Sequence, residues 1–185
     1  MEHNVLIAGF GGQGILFFGK LLAYSGMLEG KEVTWFPSYG AEVRGGTANC
    51  TVIISDEMIG SPIVRNPEVL VVMNEASLNK FQPRLKKEGL LIFDSSLIKK
   101  PELRSDIHVA DVPASEIAAA IGNTKFANMV MLSALLAKAG IIKEESALKA
   151  LEELTPPKRR KSLDANKDAI AKGRKYIEDK KSKDN

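Results

Sequence analysis

Val5-Leu6-Ile7-Ala8-Gly9-Phe10-Gly11-Gly12-Gln13-Gly14-Ile15-Leu16-Phe17-Phe18 carries the pattern that decides the fold. Val5–Gly9 is a short apolar run closed by glycine, which predicts a buried strand. From Gly12 to Leu28, Ile15, Phe18, Leu22 and Ser25 recur at helical spacing, and Gly30 supplies a stop. Strand, glycine turn and helix in this order open an α/β domain with a largely parallel sheet.

The alternation continues outward from that unit. Glu32–Phe36 is rich in β-formers and ends at Pro37, and Ala48–Ser55 alternates with β-branched residues. Leu70–Met73 and Leu90–Phe93 read as further buried strands, with a helix over Asn74–Lys87 between them. Ile107–Ala110 is a last short strand. The remainder reads as helix: Ser115–Ile121, Lys125–Ala139, Glu144–Leu154 and, after Pro156-Pro157, Leu163–Asp179. The expectation is one α/β domain over residues 1–179, a three-layer, mostly parallel, Rossmann-like sheet with helices on both faces and a helical C-terminal region. Residues 180–185 are expected to form a disordered basic tail.

Composition narrows the chemistry. With 185 residues, 44% hydrophobic and 26% charged, the chain has the size and balance of an ordinary domain with its own core. It holds one cysteine and two histidines, too few for an iron–sulfur cluster or a structural zinc site. No apolar run approaches the ~20 residues that span a bilayer. The N-terminus opens on the first strand without a signal-type segment, so the expected location is cytoplasmic and no membrane partner is expected. Residues 155–185 carry 11 Lys/Arg against 5 Asp/Glu. Tyr176 is the one aromatic there, so the stretch reads as a solvated helix face rather than a nucleic-acid surface.

Two clusters hold the candidate site residues. Gly9, Gly11 and Gly14 satisfy G-x-G-x-x-G, with Gly12 and Gln13 inside the turn; glycines there permit a tight turn and let a phosphate approach a helix N-terminus. A dinucleotide site also wants an acid at the end of the second strand, but the only nearby one, Glu32, stands at its start. No Lys-Ser/Thr follows the glycines, so ATP hydrolysis is not supported. The turn then holds a non-dinucleotide phosphate, faces a partner chain, or merely packs helix on strand. The second cluster is Pro37-Ser38-Tyr39-Gly40-Ala41-Glu42-Val43-Arg44-Gly45-Gly46-Thr47. It leaves the second strand on the same sheet edge as the glycine turn. Arg44 either clamps a phosphate or carboxylate or pairs with Glu42. Tyr39 stacks on a base or packs against a partner. Asn128 opens an apolar helical run and bonds either backbone or a ligand. Met129 and Met131 read as packing residues, Asp94-Ser95-Ser96 as a helix cap, and Cys50 as a buried, inert thiol.

Gly11-Gly12-Gln13-Gly14 followed by Pro37 to Gly46 resembles the paired signature of the gamma subunit of 2-oxoacid:ferredoxin oxidoreductases. Ile54-Ser55-Asp56, Ser61-Pro62, Asn128-Met129-Val130-Met131-Leu132 and Asn166, Ala169 and Gly173 extend the resemblance over nearly the whole chain. Ala41, where proline is expected, and Ser133, where glycine is expected, depart from it. Leu22–Val33 is most similar to the 2-oxoglutarate-type subunits, within the pyruvate/ketoisovalerate group. The resemblance implies a complex that decarboxylates a 2-oxoacid on thiamine diphosphate with Mg, passes electrons through [4Fe-4S] clusters to ferredoxin, and releases acyl-CoA. This chain is then a subunit inactive alone, binding no cofactor by itself. Its partners are the thiamine-binding and ferredoxin-like subunits, with CoA a candidate ligand shared at an interface. No catalytic or metal-binding residue is assigned to it. A ligand-free interaction module, and a free-standing Rossmann-like nucleotide-binding protein, are the alternatives.

Overall fold

The computed structural model describes residues 1–38 and 47–184. β1 (Glu2–Gly9) leads through the glycine turn into α1 (Ile15–Leu28), then β2 (Glu32–Ser38), β3 (Ala48–Ser55), β4 (Val69–Val72), α2 (Glu75–Phe81), β5 (Leu90–Asp94) and β6 (His108–Val112). Helices α3 (Ala114–Ile121), α4 (Ala127–Ala139), α5 (Glu144–Leu154) and α6 (Leu163–Asp184) complete the chain. The strand order is β2-β3-β1-β4-β5-β6. β1, β4, β5 and β6 pair in parallel, whereas β3 runs antiparallel to both β1 and β2. β2 therefore points the same way as β1, and the β1–α1–β2 crossover leaves a gap that β3 fills. The carboxyl ends of five strands share one edge.

β1, β4 and β5 feed two cores because their side chains alternate between faces. Val5, Ile7, Val71, Ile92 and Val52 pack under α1, α3, α4, α5 and α6. Leu6, Ala8, Leu70, Val72, Leu91 and Phe93 pack on the other face with Leu78 and Phe81 of α2. The mostly parallel sheet with helices on both faces is as expected, with most of the helical mass on one face. α4 is buried at every position from Ala127 to Leu136, consistent with its apolar sequence all round.

Several boundaries differ from the sequence expectation, each for a physical reason. α1 starts at Ile15 rather than Gly12 because Gly12 (φ 103°) and Gly14 (φ 74°) take left-handed backbone. The helix after β4 stops at Phe81 and tightens into a 3-10 turn over Gln82–Arg84, where Pro83 has no N–H to donate. The 180–184 segment, expected as a disordered tail, is the end of α6. Lys180 pairs with Asp111 of β6, Lys181 Nζ reaches Ala137 O at 3.4 Å, and Ser182 Oγ donates to Glu178 O at 3.1 Å. These acceptors, supplied by β6 and by the exposed end of α4, hold basic residues that the sequence alone left without partners. No helix among the described residues is long and apolar enough to cross a membrane.

Candidate site at the glycine turn

β1 closes on Gly9, where only glycine fits, since a Cβ there would sit 2.4 Å from Gln13 Oε1 and 2.7 Å from Ile15 Cδ1. The turn folds back over that space. Gln13 Oε1 accepts from Phe10 N at 2.8 Å, and its Nε2 donates to Met73 O at 2.9 Å. Met73 N in turn donates to Ala8 O at 2.9 Å. Gln13 thus ties the turn to the end of β4 and spends both ends of its amide inside the protein. Phe10 is left 47% exposed at the rim.

Gly14 is the N-cap of α1, and Phe18 N closes the first turn on Gly14 O at 2.9 Å. No side chain among the described residues caps this end, and no acid stands in the first turn. The N–H groups of Ile15, Leu16 and Phe17 have no helical carbonyl to bond. A Cβ on Gly14 would lie 2.3 Å from Asn128 Nδ2, so only glycine lets the starts of α1 and α4 meet. Asn128 Nδ2 donates to Gly14 O at 3.3 Å, while its Oδ1 is buried with no hydrogen-bond partner among the described residues.

The sheet register brings Ser38 to the same place. Gly9 pairs with Ala48, and Ser38 with Asn49, so β1 and β2 end side by side across β3. A cavity of about 300 Å³ lies between them, lined by Phe10, Gly11, Gly12, Gly14, Phe17 and Ser38. Gly9, Gly11, Gly12, Gly14, Ser38 and Asn128 are therefore gathered at one edge, with Gln13 holding the turn. Tyr39, Gly40, Glu42, Arg44, Gly45 and Gly46 lie outside the described residues. Glu32 pairs with Ser55 at the opposite edge, so β2 offers no acid where a ribose would sit.

Two other candidates have structural roles. Asp94, fully buried, accepts from Ser96 N at 3.0 Å and Ser115 N at 3.3 Å, and from Ser115 Oγ at 2.5 Å. It pins the start of α3 to the end of β5. Cys50 is fully buried, and burial pushes its thiol up to about 12.

Sequence reasoning missed a second wall. Lys125, Thr155, Arg159, Ser162 and Asn166 stand with Gly14 and Asn128 around a further cavity of about 240 Å³. The signal in the sequence is the run Lys158-Arg159-Arg160-Lys161 directly after two prolines, whose charge alone reads as a solvated face.

Residues 4–176 match the family model described as pyruvate ferredoxin/flavodoxin oxidoreductase. The ketoisovalerate oxidoreductase subunit VorA of Methanothermobacter thermautotrophicus is 38% identical over 165 residues, which are 89% of this chain and 34% of that protein. The chain thus spans about a third of the VorA relatives it matches. The 2-oxoglutarate synthase subunit KorC of the same organism is 35% identical over 164 residues, covering 85% of this chain and 87% of KorC. Among solved structures, the gamma subunit of keto/oxoacid ferredoxin oxidoreductase from Geobacter sulfurreducens aligns at TM-score 0.82 and 27% identity, covering 94% of this chain and 96% of that one. The fold recurs at TM-score 0.84 and 24% identity in 2-oxoglutarate:ferredoxin oxidoreductase from Magnetococcus marinus, where it occupies 30% of a longer chain.

Proposed function

This chain belongs to the pyruvate ferredoxin/flavodoxin oxidoreductase family, and on that premise we propose that it is the gamma-type subunit of a CoA-acylating 2-oxoacid:ferredoxin oxidoreductase. The complex oxidatively decarboxylates its 2-oxoacid to an acyl-CoA and carbon dioxide, and two electrons leave to ferredoxin. The observation that carries this reading is the nearly end-to-end correspondence with KorC, a relative of the same size. The same correspondence favours 2-oxoglutarate as substrate, although substrate choice belongs mainly to the other subunits. We place the complex in the cytoplasm.

The chain's own part is binding and assembly. Its one cysteine is buried under α1, so iron–sulfur clusters and the thiamine diphosphate site with its Mg²⁺ belong to partner subunits. Coenzyme A fits the glycine turn. Uncapped N–H groups at the start of α1 suit a phosphate, and Gly11 and Gly12 let it approach the backbone. Ser38 and Asn128 stand beside that end; the roles proposed from the sequence are a phosphate clamp for Arg44 and stacking on the base for Tyr39. Phe10, half-exposed at the rim, gives a partner subunit an apolar contact at the same edge.

The test is anaerobic affinity purification of the tagged chain from its native host, followed by an assay of CoA-dependent 2-oxoacid reduction of a viologen. The expected eluate contains thiamine- and cluster-bearing subunits and is most active on 2-oxoglutarate. Recovery of the chain alone, without activity, sinks the reading. Activity confined to 2-ketoisovalerate corrects the substrate and leaves the subunit assignment standing.

A further inference from the structure

The outer edge of β2 is an open row of backbone groups. Asp56 N donates to Met1 O, one step beyond the pairing of Glu2 with Ser55, so the even-numbered residues of β3 turn their backbone toward β1. The odd-numbered ones bond β2, which assigns Glu32, Thr34, Phe36 and Ser38 to that ladder. Val33, Trp35 and Pro37 therefore face outward, and proline is tolerated because its missing N–H points away from β3. Among the described residues no hydrogen bond reaches this row.

The two edges of the sheet differ. On β6, His108 N donates to Gly89 O and Val112 O accepts from Ser95 N, which leaves Val109 and Asp111 facing outward. Asp111 puts a carboxylate on that edge and Lys180 of α6 covers it, a common protection against strand addition. β2 carries no charge between Glu32 and Ser38. It offers two adjacent aromatics instead, Trp35 at 37% and Phe36 at 49% exposed. Met27 of α1, 59% exposed, follows Gly26, which packs against Val33.

We propose that β2 pairs antiparallel with β2 of a second copy of this chain, about a two-fold axis at Thr34. Val33 then exchanges both backbone hydrogen bonds with the partner's Trp35, and the symmetric pair repeats this, so Pro37 is not called on. Thr34 meets its twin in a pair without backbone hydrogen bonds, where side chains lie closest. Its Oγ1 is buried with no hydrogen-bond partner among the described residues, and a threonine hydroxyl opposite another supplies one. Helix α1 fits the same axis. Gly19 abuts Trp35 and Cys50, and Gly26 abuts Val33 and Ile54, so α1 straddles the seam of β2 and β3. Two such seams lie about two strand spacings apart, roughly 10 Å, the separation of packed helices. Ala23, midway between those glycines, gives a small side chain at the level of Thr34, and Met27 covers the stem of the partner's Lys20. The open parts of Trp35, Phe36 and Met27 with the strand edge amount to about 1,000 Å² over both copies, the lower limit for a specific interface. The dimer is therefore weak, and it is independent of the reading of the glycine turn.

Sedimentation velocity on the full chain from about 1 to 100 μM should show monomer giving way to dimer. Trp35 is the one tryptophan, so its emission should move to shorter wavelength over the same range. Both readings use the natural chain and decide the matter if a variant fails to fold. Met27→Lys, which sets a second cation beside the partner's Lys20, should weaken the dimer roughly tenfold. Thr34→Cys should form an intermolecular disulfide on mild oxidation, because the paired Cα atoms would lie about 4.5 Å apart. Phe36→Cys, which faces the partner's Glu32, should not, and Cys50 is buried away from either. A monomer at every concentration, a dimer whose Trp35 emission stays fixed, or cross-linking through Phe36→Cys overturns the proposal. In the purified complex, a Thr34→Cys cross-link to a different subunit also overturns it and gives the edge to that subunit.

Discussion

Cys50 Sγ fills the space that a side chain on Gly19 would need, since a Cβ there would lie 2.4 Å away. The thiol reaches toward Ile15 O at 3.6 Å and sits beneath α1, out of water. Desolvation disfavours the thiolate, and contacts with Trp35 and the Gly19 backbone offset this only in part, leaving a value of about 12 against 9.0 for a free thiol. The folded chain therefore keeps this proton through a range in which the unfolded chain loses it. Stability should fall as pH rises from 9 toward 12, by up to roughly 1.4 kcal/mol per pH unit from this group. Urea unfolding at pH 8, 9, 10 and 11 on the natural chain and on Cys50→Ala isolates it from the lysines, which titrate in both. The natural chain should lose more stability than the variant over that range. Parallel curves would mean that the thiol ionises alike in both states.

The glycine turn is held as an element by Gln13 more than by its glycines. Its Oε1 and Nε2 bridge Phe10 N and Met73 O, joining β1, the turn and the end of β4. Gln13→Leu keeps the bulk but orphans a partly buried carbonyl, so chemical denaturation should show a loss of about 1–3 kcal/mol. Amide exchange at Phe10 should speed up in parallel. Gln13→Glu retains an acceptor for Phe10 N and loses the donor to Met73 O, and it should fall between the two. No change in either variant would return Gln13 to the ligand-contacting role considered from sequence. The strand–turn–helix unit was legible because a continuous apolar run closed by glycine gives way to a period near 3.6 across Gly9–Ile15. The antiparallel direction of β3 was not legible, because a strand buried on both faces carries the same apolar run in either direction. At the site, Gly14 and Asn128 were legible as members of motifs. Their contact across 114 residues was not, and neither was the approach of Arg159 to it, since both depend on how α4 and the 3-10 turn pack.

Over the whole molecule, α6 closes the helical layer against α4. A Cβ on Gly173 would lie 2.8 Å from Val130 O and 3.2 Å from Ser133 Cβ, so the two helices touch backbone to backbone. Ser133, where the family resemblance led one to expect glycine, is small enough to sit in that contact. Ala169, Ile170 and Ile177 are buried there. At about 1.5–3 kcal/mol for each fully buried large aliphatic chain, the two isoleucines alone contribute on the order of 3–6 kcal/mol. A domain is typically stable by only about 5–15 kcal/mol, so losing α6 should consume much of that margin. It would also bare one side of α4, whose sequence is apolar all round and unsuited to water. A chain ending at Ser162 should therefore lose its cooperative thermal transition and precipitate or bind a hydrophobic dye. The full chain should melt in one step. Cooperative melting of the truncated chain would make α6 an appendage; the expected loss makes it the element that covers α4 and completes the core.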